Sequence, residues 1–266
     1  MATKKQIWIA GCSFSAANKD FPNMHWSQIL AEKLDCDYNT LARDSASNGL
    51  IMEQIDHIID NEKPDLVIFN STLNPRIEFP RNRKKYDRKL GIFQFFYYDK
   101  EQLPGFHSNT LSYLNLKSKF DSTPTNMIAE SVTHTNRIKI MADAGLLIKY
   151  IPRFLNNYLD NFYDLEWETK KQVYMMQGVI SRLERNKINY LFMPSPSFHD
   201  YKDYFKGFDK HKILFNGDLN VYTFYDETNP EDGFGHLPFV NHKTLGNNIY
   251  NHILKYKLLD KYKYTL

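Results

Sequence analysis

The sequence predicts an α/β fold of three layers, in which a central parallel sheet of about five strands lies between helices. Two observations predict it. Over the first 70 residues, short apolar runs of strand length alternate with apolar stripes at helical spacing. The same alternation returns after about residue 165. Strands that alternate with helices along a chain are typical of a parallel sheet with helices on both faces.

The first part of this pattern is regular. An apolar run closed by Gly11 predicts a buried parallel strand that ends in a tight turn. Two helical stripes follow, and Pro64 ends the second of them. The predicted elements are a strand at Gln6–Ala10, a helix at about Met24–Leu34, a strand at Tyr38–Ala42, a helix at Leu50–Glu62 and a strand at Asp65–Asn70.

The middle of the chain shows no clean period. Residues from about 78 to 160 include a basic run, Arg81–Lys89, and an aromatic run, Ile92–Tyr98. Their apolar content is patchy, so we interpret them as a large insertion after the third strand of a single domain that spans 1–266. The basic run fits either a solvated loop or a site for phosphates or an acidic polysaccharide.

Periodicity returns near Leu165. The predicted elements are a helix that carries Val173, Met176, Ile180 and Leu183 on one face, a fourth strand at Asn189–Met193, a fifth at Leu219–Phe224, and a closing helix that carries Leu245, Ile249, Ile253 and Leu258.

The composition narrows the function classes. The net charge of +3 is too small to favour nucleic acid as a partner. Two cysteines are fewer than a secreted disulfide framework needs, and no apolar run has the length of a membrane span or a signal peptide. We therefore expect a cytoplasmic protein without membrane contact, which could leave the cell by lysis or as part of a particle. Metal-ligand spacings and Gly-rich phosphate loops are absent, so we expect no metal and no cofactor.

Two loops carry residue types that could perform catalysis. The first, Gly11-Cys12-Ser13-Phe14-Ser15, places a serine at the end of a strand, where open α/β sheets bind their ligands. The second, DGFGHLPFVNH from Asp232 to His242, places an acid and a histidine just before the closing helix. Serine hydrolases need a histidine that accepts the serine proton and a carboxylate that orients it. Taken alone, each loop is better explained as a capped helix start.

Taken together, the two loops resemble the SGNH (GDSL-like) hydrolase family. Gly11-Cys12-Ser13 resembles its first block, with Cys12 in place of Asp, and residues 39–49, NTLARDSASNG, resemble its second. Trp26–Leu34 is similar to the family's first helix, and His236–His242 resembles its last block. The resemblance covers about the first 80 and the last 80 residues, and the run TLNPRIEF is similar to SGNH-like proteins of bacteriophages.

The resemblance implies a triad in which Ser13 is the nucleophile, His236 the base and Asp232 the orienting acid. The family's acid lies three residues before its histidine, whereas Asp232 lies four before His236, so Glu231 is the alternative. The resemblance also implies an oxyanion hole that uses the Ser13 backbone N–H, a backbone N–H at Ser45 or Gly49, and a side-chain donor after the third strand.

That third donor departs from the family's pattern. Strict counting puts Asn70 at the family's glycine position and Thr72 at its asparagine position, with Asn74 two residues later. Pro75 biases Asn74 towards an extended backbone, which could carry its amide to the site. We expect Asn74, ahead of Thr72, to be the donor.

Two function hypotheses follow. The first is a serine esterase whose partner is a small-molecule or carbohydrate ester, including O-acyl groups on sugars, with the aromatic run as a sugar-stacking wall. The second is a non-catalytic binding or structural module of the same fold, for example in a phage particle. Ser13 and His236 favour the first hypothesis, and the altered Asp, Gly and Asn positions favour the second.

Overall fold

The computed structural model describes residues 4–17, 22–43, 46–72, 76–80, 108–112, 161, 164–215, 217–224 and 237–260. Of 76–80 and 108–112, it describes the backbone alone. The chain divides into two compact units, one of residues 1–73 with 172–266 and one of residues 74–171. Ser13 and the strand that precedes it lie in the first unit.

A parallel sheet forms the centre of the first unit. Its strands are β1 (Gln6–Ala10), β2 (Asp37–Thr40), β3 (Leu66–Asn70) and β6 (Asn189–Met193). The order across the sheet is β2-β1-β3-β6, and every neighbouring pair is parallel. All five residues of β3 are buried, as expected for a central strand covered on both faces. The predicted α/β class with a parallel sheet is therefore confirmed.

The helices lie at α1 (Trp26–Lys33), α2 (Asn48–Asn61), α3 (Leu165–Arg185) and α4 (Phe239–Tyr256). The β1–α1–β2 connection runs in one direction across the sheet, and the β2–α2–β3 connection runs back. Right-handed crossovers then place α1 and α2 on opposite faces. Contacts agree with this, since α1 packs against α4, and Arg182 of α3 pairs with Asp56 and Asp60 of α2.

Local sequence explains the starts of the first two helices. His25 is the N-cap of α1 and forms a capping box with Gln28, and the Ser47 hydroxyl caps α2 by accepting a hydrogen bond from the Leu50 N–H at 3.2 Å. The apolar stripes predicted for α3 and α4 are buried. The predicted helices are thus confirmed, with ends that differ by a few residues.

The predicted fifth strand at Leu219–Phe224 is wrong, because Val221–Phe224 form a 3₁₀ helix. The Asn220 carboxamide explains the turn there. Its Nδ2 donates to the Leu214 and Pro194 carbonyls at 2.6 and 2.9 Å, and its Oδ1 accepts from the Tyr222 N–H at 3.0 Å.

Residues 212–214, which precede the predicted fifth strand in the chain, lie beside β6 instead. Ile213 forms a parallel bridge with Phe192 of β6. The Phe192 N–H donates to the Lys212 carbonyl and the Leu214 N–H to the Phe192 carbonyl, both at 2.8 Å. The sheet therefore extends beyond β6 by a single bridge.

The second unit contains an antiparallel pair, β4 (Arg76–Pro80) and β5 (Ser108–Ser112), with Glu78 opposite Thr110. It falls in the region predicted as an insertion, where sequence periodicity indicated no strand. The basic and aromatic runs lie outside the described residues, and the single domain 1–266 stays a prediction. Within the described ranges, no helix combines the length and apolar composition that a membrane crossing needs.

The close approach of Gly11 to Asn70 gives a testable prediction about stability. Its φ of +148° lies in the region that favours glycine, and an added Cβ would lie 2.0 Å from Asn70 Oδ1. We expect Gly11→Ala to lower the free energy of unfolding by about 3 kcal/mol in urea titrations, because backbone strain and overpacking add. Gly178 of α3 is the matched control, since no atom lies within 4 Å of its added Cβ. Gly178→Ala should raise stability by about 0.5–1 kcal/mol. Equal urea midpoints for Gly11→Ala and the parent would contradict this account.

Candidate active site at the carboxyl end of the sheet

Ser13 lies in a tight turn directly after β1, at the carboxyl end of the sheet. The Cys12 carbonyl accepts hydrogen bonds from the Ser15 N–H at 2.9 Å and the Ala16 N–H at 3.1 Å. Gly11, Cys12, Phe14 and Ser15 are buried, whereas Ser13 is partly exposed. Of the five residues of this turn, Ser13 is therefore the one that is partly exposed, and it is the predicted nucleophile.

The start of the turn is held by Gln54, a buried residue of α2. The Gly11 N–H donates to Gln54 Oε1 at 2.7 Å, and Gln54 Nε2 donates to the Gly11 carbonyl at 3.4 Å. That carbonyl also accepts from the Arg43 N–H at 3.0 Å. Both backbone groups of Gly11 are thus satisfied without an adjacent strand, which lets the chain leave the sheet at this point.

The end of the turn is held by Asn70, the last residue of β3. The Ser15 hydroxyl donates to Asn70 Oδ1 at 2.6 Å. Asn70 Nδ2 lies within hydrogen-bond distance of Cys12 Sγ at 3.1 Å, the Ser71 carbonyl at 2.8 Å and the Tyr222 hydroxyl at 2.7 Å. Asn70 is fully buried, so these bonds form away from water.

Cys12 is a buried free cysteine, an environment in which cysteine packs as a small apolar residue. Its Sγ lies 3.6 Å from the Tyr222 hydroxyl and accepts from Asn70 Nδ2. The family pattern has an Asp at this position. Here the thiol, a weaker hydrogen-bonding group, joins the contacts beneath the turn.

Phe14 ties the turn to the helices on one face of the sheet. Its carbonyl accepts from the Trp26 indole N–H at 3.0 Å, and its ring lies 4.6 Å from the Tyr222 ring between centroids. The Trp26 backbone N–H in turn donates to His242 Nδ1 of α4 at 3.3 Å. The contacts beneath Ser13 therefore extend to the closing helix.

A pair of buried histidines lies behind Trp26. The rings of His25 and His242 are 4.7 Å apart between centroids, and both residues are buried. Burial lowers the pKa of His25 well below its ordinary value of 6.5, and the charge that His242 would carry lowers it further. The nearby Phe14 carbonyl acts in the opposite direction but less strongly. His25 is therefore neutral in the folded protein near neutral pH.

Of the other predicted site residues, Thr72 is described. Its backbone N–H donates to Asn48 Oδ1 at 2.8 Å, its side chain is buried, and its hydroxyl has no hydrogen-bond partner among the described residues. Gly49, the alternative to Ser45, is buried in the first turn of α2. The remaining predicted residues lie outside the described ranges, and their roles stay predictions: Ser45, Asn74, Glu231, Asp232 and His236.

The residues on either side of the segment 225–236 lie near the turn or the helices that hold it. Before it, Tyr222 contacts Cys12 and Phe14, and the Phe224 carbonyl accepts from Asn241 Nδ2 of α4 at 3.2 Å. After it, Leu237 is buried just ahead of α4. Leu237 is the residue that directly follows His236 in the chain.

Sequence reasoning missed the residues that hold the turn. Gln54 gave a signal, because it interrupts the apolar stripe of Ile51, Ile55 and Ile58 on the buried face of α2. Tyr222 was placed in a strand, and nothing local indicates its contact with the turn. Among the described residues, no group of three or more His, Cys, Asp or Glu side chains could hold a metal ion.

Comparisons with known proteins give structural likenesses without sequence matches. No protein-family model matches the chain, and no curated protein matches it in sequence. A G-D-S-L family protein from Desulfitobacterium hafniense is similar in structure, with a TM-score of 0.46 and 11% identity over 93% of this chain and 99% of that one.

Two carbohydrate esterases are also similar. One is a family two carbohydrate esterase from Clostridium thermocellum, solved with cellohexaose, at a TM-score of 0.44 and 11% identity over 96% of this chain. The other is an acetyl xylan esterase from the rumen bacterium Butyrivibrio proteoclasticus, at 0.45 and 10% over 97%. The chain spans 65% and 66% of their lengths. At these scores and identities, the likenesses assign no activity to this chain.

The buried histidines predict a loss of stability in acid. Because the folded state depresses the pKa of His25, the unfolded state binds the extra proton below about pH 6.5, and unfolding becomes easier as pH falls. His25 alone should remove up to about 1.4 kcal/mol per pH unit. His25→Asn keeps an N-cap acceptor but does not titrate, so its unfolding free energy should fall less between about pH 7 and pH 5.

Urea titrations at several pH values measure this slope. The control is His57→Asn, which makes the same replacement at a half-buried histidine near the end of α2. Burial also lowers the pKa of His252, so some dependence in the same direction should remain in His25→Asn. Identical slopes for His25→Asn and the parent would show that His25 is not the group responsible.

Proposed function

We propose that this chain is a serine hydrolase of the SGNH type that acts on esters, with Ser13 as the nucleophile. One observation carries the proposal: Ser13 is the partly exposed residue of a turn whose other members are buried and bonded to distant elements. A nucleophile must be accessible to substrate while its backbone stays fixed, and this turn meets both requirements.

In the proposed reaction, Ser13 Oγ attacks the carbonyl carbon of the ester while His236 accepts the hydroxyl proton. The tetrahedral intermediate carries its negative charge on the former carbonyl oxygen. When it collapses, the bond to the alcohol breaks, and His236 returns the proton to the departing oxygen. Water then attacks the acyl-serine with His236 again as the base, which releases the acid and restores Ser13.

The described residues support the part assigned to His236 indirectly. Tyr222, before the segment 225–236, contacts the turn that carries Ser13. After that segment, α4 contributes His242, which bonds to the Trp26 backbone, and Trp26 bonds to that turn. The described residues on both sides of His236 in the chain are thus linked to the turn that carries Ser13, which supports its proposed role. Asp232 is the proposed orienting acid, and Glu231 is the alternative.

The proposed substrate is a small acyl ester, and we extend this to O-acyl groups on carbohydrate. The aromatic run Ile92–Tyr98 supports the extension, because tyrosine and phenylalanine rings stack on the apolar faces of sugars. Short activated esters are the appropriate first substrates, since they need no specificity contacts beyond the acyl group.

Removing the nucleophile or the base should abolish turnover. We expect Ser13→Ala and His236→Ala each to lower kcat for p-nitrophenyl acetate by about 10⁴-fold, because triad members act as one unit. His57→Ala is the control for the loss of a histidine, since His57 is a helical residue of α2 that the proposed reaction does not use. A fluorophosphonate should label the parent at Ser13 and leave Ser13→Ala unlabelled.

A folded parent protein that neither turns over a panel of esters nor reacts with the fluorophosphonate would contradict catalysis. That result would favour a non-catalytic binding or structural module. The acid is assigned by comparing Asp232→Asn with Glu231→Gln. We expect the larger loss of kcat in Asp232→Asn, because a neutral amide cannot stabilise the protonated histidine.

The oxyanion hole gives an independent prediction. We expect Asn74→Ala to lower kcat by about a hundredfold with KM nearly unchanged, because this donor would act on charge that develops in the transition state. Thr72 is the competing candidate, but its side chain is buried. Thr72→Val should therefore keep kcat. Its hydroxyl has no partner among the described residues, so removing it should not lower the melting temperature. A large loss of kcat in Thr72→Val alone would reverse the assignment.

A further inference from the structure

Tyr222 reaches the underside of the Ser13 turn from a part of the chain far away in sequence. Its hydroxyl accepts a hydrogen bond from Asn70 Nδ2 at 2.7 Å and donates one to the Ser71 carbonyl. The same hydroxyl lies 3.6 Å from Cys12 Sγ, and the ring packs on Phe14. Tyr222 therefore contacts the residues on both sides of Ser13.

Asn70 completes this arrangement from the end of β3. Its oxygen accepts from the Ser15 hydroxyl, and its two amide hydrogens face three acceptors, on Cys12, Ser71 and Tyr222. The absence of a Cβ at Gly11 makes room for this carboxamide, since an added Cβ would lie 2.0 Å from its oxygen. The glycine, the amide and the tyrosine are therefore spatially complementary.

Asn70, Tyr222 and Ser71 each have a defined role as hydrogen-bond donor or acceptor in this contact. The Asn70 amide donates to the Tyr222 oxygen, and the Tyr222 hydroxyl hydrogen goes to the Ser71 carbonyl. Tyr222→Phe would keep the ring contact with Phe14 but would remove one of the three acceptors that the Asn70 amide faces and one of the two donors to the Ser71 carbonyl. Buried groups that lose a partner in this way tend to shift or admit water.

We propose that Tyr222, acting through Asn70, is a positioning residue that holds the Ser13 turn in its reactive geometry. The inference rests on the proposed serine hydrolase function. Asn70 stands where the family resemblance has a glycine, so this arrangement is a feature of this chain. A small displacement of a nucleophile can lower the rate by about a hundredfold, although the substrate still binds.

The test compares Tyr222→Phe with Tyr190→Phe. Tyr190 of β6 is a matched control, because it is a buried tyrosine whose hydroxyl donates to Glu184 Oε1 at 2.9 Å, in the amino-terminal half of its strand. We expect Tyr222→Phe to lower kcat for p-nitrophenyl acetate by about ten- to a hundredfold with KM unchanged. Tyr190→Phe should lower the melting temperature about as much as Tyr222→Phe does, but it should keep the kcat of the parent.

A double-mutant cycle tests whether Tyr222 acts through Asn70. Asn70→Ala should lower kcat at least as much as Tyr222→Phe does. The double variant should lose no more than Asn70→Ala alone, because the two residues act as one unit. Independent, multiplicative losses would overturn the coupling between them.

A second readout does not depend on catalysis. The chain has two cysteines, so Cys36→Ser leaves Cys12 as the sole thiol. In that background we expect N-ethylmaleimide to modify native Cys12 slowly, and about tenfold faster in Tyr222→Phe, because local opening of the turn exposes the thiol. Tyr190→Phe should react at the parent rate. Mass spectrometry measures both rates.

The outcomes separate the two proposals. An active, Ser13-dependent parent with an unchanged kcat in Tyr222→Phe would overturn the positioning role and leave the hydrolase function standing. An equal loss of kcat in Tyr190→Phe would also overturn it, because the effect would then follow general stability. An inactive parent overturns both proposals, and the Cys12 rates then still show whether the Tyr222 hydroxyl holds the turn.

Discussion

The hydrogen-bonded contact between Asn70 and the turn after β1 is the interaction on which the rest of the site depends. A central strand must end, turn tightly and leave the sheet without orphaned polar groups. Gly11 allows the turn and leaves space for the Asn70 carboxamide, which bonds to Ser15 and Cys12. Because that carboxamide is fully buried, its partners have no water to replace it.

The turn is held from several directions by elements far apart in the chain. Gln54 of α2 satisfies the backbone of Gly11, Trp26 of α1 bonds to the Phe14 carbonyl, and Tyr222 covers Cys12 and Phe14. These contacts hold the other residues of the turn in the interior and leave Ser13 partly exposed. The backbone that carries this partly exposed serine is thereby held by tertiary contacts, which a loop without such contacts could not provide.

Much of the fold could be predicted because periodicity is a local property. Apolar runs gave β1, β3 and β6, and helical stripes gave the four helices. The prediction failed at Leu219–Phe224, which has the apolar content of a strand but contains Asn220. That residue's carboxamide binds the Pro194 and Leu214 carbonyls, so tertiary contacts decide the turn there. The β4–β5 pair escaped prediction because β4 has only two alternating apolar residues before Pro80, and β5 has a single apolar residue, Leu111.

The sequence by itself determined the α/β class, the order of the main elements and the position of Ser13 at the end of a strand. Those features follow from which residues are apolar and from where glycine and proline interrupt them. Only the tertiary structure decided which side chains hold that serine. Gln54, Asn70 and Tyr222 meet because parallel strands bring their carboxyl ends to one edge of the sheet, and that proximity has no counterpart in the spacing of residues along the chain.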